Sequence, residues 1–290
     1  MRGQASKYIG SFVYIICNNL IRNIYETRMI FVNMSEKSFR DRLLDGETAV
    51  GTFQLLDSAM VSEMIGVAGM DFVIYDQEHG PLTAETTLNL TSSAQNKDLA
   101  PIVRVRENRE AEIQRALDLG AAGVQVPQIE TRSDAEAAVK AARFDPLGSR
   151  GLSQYVRAGE YTGSETYTEE QNEERLLVIQ VEGERGVENI EEILDVEGID
   201  VVFLGPYDLS QSLGIPGEVT HERVEELMQR VCESAAETET VVGAFADNTQ
   251  IANRWIDAGV QYLTIGVEAA LFTEHLESLV DDIDIPPTIR

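Results

Sequence analysis

Positive charge is what this chain has least of. Fifty acidic residues stand against 23 basic ones, a formal net charge of −27, and only four of the basic residues are lysines: Lys7, Lys37, Lys97 and Lys140. Such a surface repels phosphate backbones and anionic head groups, so neither a nucleic acid nor a membrane is expected as a partner. Acidity with so little lysine fits a halophilic protein, in which salt screens the self-repulsion. Cysteine is nearly absent as well. Cys17 and Cys232 lie far apart, form no disulfide framework and lack metal-site spacing, so the cytoplasm is the expected compartment. No apolar run is long enough to cross a membrane, and residues 9–17 lack the cleavage pattern of a secretory signal.

Apolar residues, by contrast, make up 43% of the chain, enough for a large core. Residues 1–33 differ from the rest, carrying Arg2, Lys7, Arg22 and Arg28 against Glu26 alone. Met34-Ser-Glu-Lys-Ser reads as a fresh start. Residues 1–33 are therefore expected to be an extension outside the fold, with a membrane-associating arm as the alternative, and 34–290 a single domain. From there short apolar runs alternate with amphipathic segments. Strands are expected at 49–55, 72–75, 101–105, 123–126, 176–181, 201–204, 241–244 and 262–265. Helices are expected at 35–44, closing the lower end, then at 58–68, 83–95, 109–119, 132–143, 185–194, 220–237, 250–258 and 268–280. A short helix ends at Leu213, and 147–167 reads as a long polar loop. Eight strand–helix units imply an α/β fold, a closed (β/α)8 TIM barrel. A doubly wound open sheet is the alternative, but no glycine fingerprint follows the first strand.

In parallel α/β architectures ligands bind at the carboxyl ends of the strands. There this chain places Asp76, Glu78, His79, Arg104, Gln180, Glu182 and Asp208. Gln180 and Glu182 are two apart and so share a face of their strand. Carboxylates on neighbouring strand ends either share a proton or hold a hard divalent cation. The ordinary alternative is that Glu182 and Asp208 cap the helices that follow them. No His lies in this strand–helix–strand unit, which argues against an iron site. His79 is the one histidine near a strand end, and Asp76, three residues upstream, is placed to orient its ring. An inward Arg104 is costly to bury unpaired, so an anionic substrate or a carboxylate should meet it. No lysine falls on the inner rim, which disfavours Schiff-base catalysis and leaves carbonyl polarisation to a metal and Arg104.

Five segments in order, Asp76-Gln-Glu-His-Gly-Pro, Pro101-Ile-Val-Arg-Val, Pro146-Leu-Gly-Ser-Arg-Gly, Val178-Ile-Gln-Val-Glu and Leu204-Gly-Pro-Tyr-Asp-Leu-Ser, resemble the HpcH/HpaI metal-dependent pyruvate aldolases. These include 2-dehydro-3-deoxyglucarate and 4-hydroxy-2-oxoheptanedioate aldolases. The resemblance implies a barrel of the phosphoenolpyruvate/pyruvate type and a divalent ion, Mg2+, Mn2+ or Co2+. It also implies reversible cleavage of a 4-hydroxy-2-oxo acid to pyruvate and an aldehyde, and a trimeric or hexameric homo-oligomer. Carried over, it makes Glu182 and Asp208 the metal ligands, Arg104 the group that stabilises the enolate, and His79, backed by Asp76, the base. Gln180 lies beside the keto acid, and the Gly205-Pro206-Tyr207 backbone receives its carboxylate. Asp118 matches an acidic residue that in such enzymes reaches a neighbouring subunit's site; a solvated helix position is the alternative. Two departures stand out: Gly266-Val-Glu268 replaces the common Gly-Ser-Asp, and Tyr207 replaces a small residue. A citrate-lyase-like acyl-CoA lyase, with Arg150 and Arg157 for the CoA phosphates, and a non-catalytic keto-acid-binding barrel are the competing readings.

Overall fold

Runs of branched and aromatic residues too short for helices pair side by side until the last meets the first. The structure, a computed structural model, describes residues 37–283; the expectation for residues 1–33 lies outside them. In chain order the elements are α1 (Phe39–Leu44), β1 (Ala49–Gln54), α2 (Ala59–Val67), β2 (Phe72–Asp76), α3 (Ala84–Gln95), β3 (Ala100–Arg104), α4 (Glu110–Asp118), β4 (Gly123–Val126) and α5 (Arg132–Ala142). There follow α6 (Tyr167–Glu174), β5 (Leu176–Val181), α7 (Glu184–Glu188), α8 (Ile190–Leu194), β6 (Val201–Leu204), α9 (Pro206–Ser212), α10 (Glu222–Ala235), β7 (Val241–Ala246), α11 (Thr249–Asp257), β8 (Tyr262–Val267) and α12 (Glu268–Asp281). The eight strands are parallel and close in sequence order, β1 pairing with both β2 and β8. This is the (β/α)8 barrel.

Strand periodicity divides the apolar residues into two layers. Outward residues such as Val73, Val103, Val124, Ile179 and Val202 pack against the helices. Inward ones, among them Phe53, Phe72, Phe203 and Tyr262, fill the barrel, and Leu43 with Phe39 of α1 closes its base. Phe72 and Tyr262 stack at 4.1 Å, and Phe203 meets Tyr262 edge-on at 6.1 Å. Rings of this size fit only because other inward positions carry no side chain. A Cβ on Gly51 would stand 2.5 Å from both the ring and the carbonyl oxygen of Phe72.

The structure differs from the pattern reading in two places. The helix expected over 185–194 breaks at Asn189 into α7 and α8. Before β5 an added helix, α6, follows the polar loop, and its Asn172 side chain fixes the Phe144 amide at 2.8 Å. At the amino end of the barrel Asp200 accepts from Arg143 Nη2 at 2.5 Å, Arg40 Nε at 2.7 Å and the Leu177 amide at 2.7 Å. Arg143 is only 1% exposed. A buried guanidinium and carboxylate therefore knit the ends of α1, α5, β5 and β6.

Gly51→Ala overpacks the barrel interior and should cost about 1–3 kcal/mol, a fall in Tm of roughly 5 °C. An unchanged melting curve by circular dichroism would contradict the packing described.

Candidate active site

The register of the sheet brings the rim residues together. Asp76 at the end of β2 pairs directly with Arg104 at the end of β3, and Arg104 with Gln125 of β4. Arg104 Nε donates to Asp76 Oδ1 at 2.9 Å and Nη2 to Oδ2 at 2.7 Å, a bidentate pair buried at the barrel mouth. Its Nη1 lies 3.2 Å from Glu78 Oε2, and the guanidinium stands 4.7 Å over the Phe53 ring. The expectation that a carboxylate would meet Arg104 is thus met from within the chain.

The same geometry corrects the pairing of Asp76 with His79. Asp76 Oδ1 also accepts the backbone N–H groups of Glu78 at 2.9 Å and His79 at 3.3 Å, so the turn after β2 wraps around the carboxylate. Its oxygens are committed to Arg104 and to that turn rather than to the imidazole. The His79 side chain is 67% exposed at the cavity edge, its Nε2 3.9 Å from Glu78 Oε2.

From β4 onward a chain of amides leads to the acidic pair. Gln125 Nε2 donates to Gln180 Oε1 at 2.7 Å, and Gln180 Nε2 donates to Glu182 Oε2. Glu182 Oε1 accepts the Gln128 amide at 2.9 Å, which points there because Gln128 adopts φ 59°, a left-handed conformation unusual for a side-chain-bearing residue. Gln128 Nε2 reaches Glu78 Oε1 at 3.3 Å. Neither Gln125 nor Gln128 stood out in the sequence. For Gln125 the signal was present, a polar residue at an inward position of Gly-Val-Gln-Val.

The capping alternative for the two carboxylates is not what the chain adopts. α7 begins after Gly183 and α9 after Gly205, neither with a side-chain cap, and Asp208 sits inside the first turn of α9. Asp208 makes no hydrogen bond or ion pair among the described residues. Burial pushes the Glu182 carboxyl up to about 7, and the charges of Glu78 and Asp208 add to the effect, against the hydrogen bonds from Gln180 and Gln128. Burial raises Glu78 as well, against the attraction of Arg104. Gly205 permits this crowding: a Cβ there would lie 3.1 Å from Glu182 Cβ.

A cavity of about 210 Å³ opens at this rim, lined by Asp76, His79, Arg104, Gln180, Asp208 and the Gly205-Pro206-Tyr207 turn. Glu182 borders an adjoining polar cleft that Asp208 shares. Asp118 stands apart from both. It ends α4, at the barrel end opposite the mouth, and accepts from the buried Arg150 Nη2 at 2.5 Å. At 19% exposed and ion-paired it is not a solvated helix position. Arg157 is likewise occupied, by Gln95 Oε1 at 2.6 Å and the Leu119 carbonyl at 3.1 Å. Neither arginine reaches the mouth, which removes the expected cationic pocket for CoA phosphates.

A profile of the HpcH/HpaI aldolase/citrate lyase family matches residues 49–274. The chain belongs to this family. It is 33% identical over 240 residues to the 2-keto-3-deoxy-L-rhamnonate aldolase of Klebsiella pneumoniae, covering 82% of this chain and 90% of the relative. Against the 4-hydroxy-2-oxo-heptane-1,7-dioate aldolase of Escherichia coli the identity is 31% over 245 residues, 84% of this chain and 94% of the relative. Among solved structures, the HpcH/HpaI aldolase from Desulfitobacterium hafniense DCB-2 superposes with a TM-score of 0.81 at 30% identity, covering 87% of this chain and 99% of that one.

The sign of the Glu182 effect fixes a pH dependence. A carboxyl raised from its ordinary value to about 7 loses stability for the cation-free fold once it is ionised. The cost, on the order of 3 kcal/mol, is present above pH 7, shrinks as the pH falls through 7, and is gone near the ordinary value. Glu182→Gln should therefore raise the Tm of EDTA-treated protein at pH 8 and leave it nearly unchanged at pH 5. A variant that melts lower at pH 8 would contradict this electrostatic picture.

Proposed function

We propose that this family member is a metal-dependent pyruvate aldolase, cleaving a 4-hydroxy-2-oxo acid to pyruvate and an aldehyde. The observation that carries the reading is the convergence of Arg104, Gln180, Glu182 and Asp208 on one rim, with the two carboxylates spent on neither a helix cap nor a protein cation. The donor chemistry fits a hard divalent cation such as Mg2+, Mn2+ or Co2+. A buried carboxyl pushed up to about 7 beside a second carboxylate is a site short of positive charge. Among the described residues no cluster of three or more His, Cys, Asp or Glu ligands forms there. Two carboxylates leave an oxygen-liking cation positions for water and substrate. Glu182 and Asp208 would hold it, and when bound it supplies Lewis-acid polarisation of a carbonyl oxygen.

The chain's own groups account for the remaining demands of the reaction. Cleavage breaks the C3–C4 bond, moves its electron pair toward the C2 oxygen and releases the C4 hydroxyl proton as the aldehyde forms. Arg104, held by Asp76 so that its fork cannot rotate, presents its Nη1 edge to the charge gathering at the C2 oxygen. Gln180, fixed by Gln125, orients the keto acid. His79, solvated and at the cavity edge, takes the C4 hydroxyl proton and passes it to water, and C3 of the enolate takes a proton from water to give pyruvate. The Gly205-Pro206-Tyr207 turn receives the C1 carboxylate beside the first turn of α9.

Pyruvate release from a 4-hydroxy-2-oxo acid, coupled to lactate dehydrogenase at molar salt, should be abolished by EDTA and restored by Mg2+, Mn2+ or Co2+. Arg104→Lys keeps the charge but loses the bidentate fork, and should lower kcat/KM by about 10²–10³-fold with a near-native melting curve. Unchanged turnover would remove Arg104 from the mechanism. Because a cation must displace the Glu182 proton below pH 7, the Tm gain from Mn2+ should be larger at pH 8 than at pH 6. Equal gains at the two pH values would argue against Glu182 as a ligand.

A further inference from the structure

The two sides of the cavity differ in chemistry. Toward β3, β5 and α9 it presents Arg104, Gln180 and Asp208; toward β7, β8 and the loop after β1 it presents Leu55, Phe245 and Val267, with Phe53, under the Arg104 guanidinium, between the two. Tyr207 leans over this second wall. Its ring meets Phe245 edge-on at 6.0 Å, and its hydroxyl donates to Asp247 Oδ1 at 2.7 Å, tying the first turn of α9 to the loop after β7. Burial and the neighbouring Asp247 carboxylate push the Tyr207 hydroxyl up to about 12, so it stays a neutral donor.

The charges around this wall are of one sign. Besides Asp247 there is Glu268, whose Oε1 accepts the amides of Leu55 at 2.8 Å and Leu56 at 2.6 Å and so shapes the loop carrying Leu55. Among the described residues no lysine lines the cavity, and its one arginine, Arg104, stacks over Phe53 at 4.7 Å and is matched by Asp76 and Glu78. The adjoining cleft holds Arg185, but that cation is paired with Glu130 at 3.0 Å and shares the cleft with Asp134, Glu182 and Asp208.

On the aldolase reading above, we infer that the aldehyde half of the substrate is short and uncharged, lying against Phe245, Leu55 and Tyr207, and that a distal carboxylate is rejected. A carboxylate on this wall would lose its hydration without a cation there to pair with it, and with the Asp247 and Glu268 carboxylates behind the wall, whereas a methyl or methylene group gains apolar contact. A hydroxyl on the aldehyde has the Tyr207 hydroxyl oxygen, which lines the cavity, as an acceptor. The cavity of about 210 Å³ has room for pyruvate on the polar side and a short chain beside it.

The matched probes are butanal and succinic semialdehyde, which share a carbon skeleton and differ in a methyl against a carboxylate. In aldol addition to pyruvate by the full chain with Mn2+, kcat/KM should favour butanal by at least about 10-fold, as roughly one rejected buried charge implies. Leu55→Arg places a cation on the wall and should shift that ratio toward succinic semialdehyde by about 10-fold; Asp247→Asn should shift it the same way by less. Deuterium exchange at pyruvate C3, followed by proton NMR without any aldehyde, separates this inference from the one beneath it. Exchange with a ratio at or below unity, or a ratio that Leu55→Arg leaves fixed while exchange persists, overturns the uncharged-aldehyde inference alone. No exchange and no product with any aldehyde overturns the aldolase reading and this inference with it.

Discussion

A guanidinium inside the mouth of a barrel is tolerable only if carboxylates meet it without leaving a donor stranded. Asp76 does this for Arg104 with two parallel hydrogen bonds, and the pairing of β2 with β3 places the two residues opposite each other. The rest of the mouth is arranged around that pair. The turn after β2 folds over Asp76 through the amides of Glu78 and His79, which delivers Glu78 to the remaining nitrogen and His79 to the edge. One strand further, Gln125 is in register with Arg104 and begins the amide chain that ends on Glu182.

At the far end of that chain the balance of charge reverses. Glu182 and Asp208 are crowded together where burial and mutual repulsion oppose ionisation, and the Gly205 backbone is pressed against them. A fold selected for stability alone would neutralise one of the pair or give them a protein cation. Local violations of this kind, a left-handed Gln128 and a buried excess of carboxylate, concentrate where function rather than folding sets the sequence.

Much of the framework was legible in the chain because short apolar runs alternate with helical periodicity; the eight strands fall within two residues of their expected ends at most positions. Gln180 and Glu182 declared themselves by their spacing, and Arg104 by its cost if left alone. What could not be read depends on partners distant in sequence. Asp76 lies three residues from His79 but 28 from Arg104, and only the sheet register shows which one it serves. Asp118 is set by Arg150, 32 residues on, and Asp200 by Arg143 and Arg40 at the other end of the barrel. Gln125 is a neutral amide in a run that reads as plain strand. α6 carries so many polar residues that its apolar face is reduced to little more than Tyr167, so no helical periodicity marks it after the polar loop.

Between the Arg104 cluster above and the Asp200 cluster below lies the stack of Phe72, Tyr262 and Phe203. It is an apolar partition, and among the described residues no hydrogen bond or ion pair links one set of charges to the other. Residues over the partition are therefore free to change with the demands of chemistry while the foundation that keeps the staves together is untouched. Divergence in what the mouth accepts, from a lineage with one common frame, needs no renegotiation of how the frame assembles.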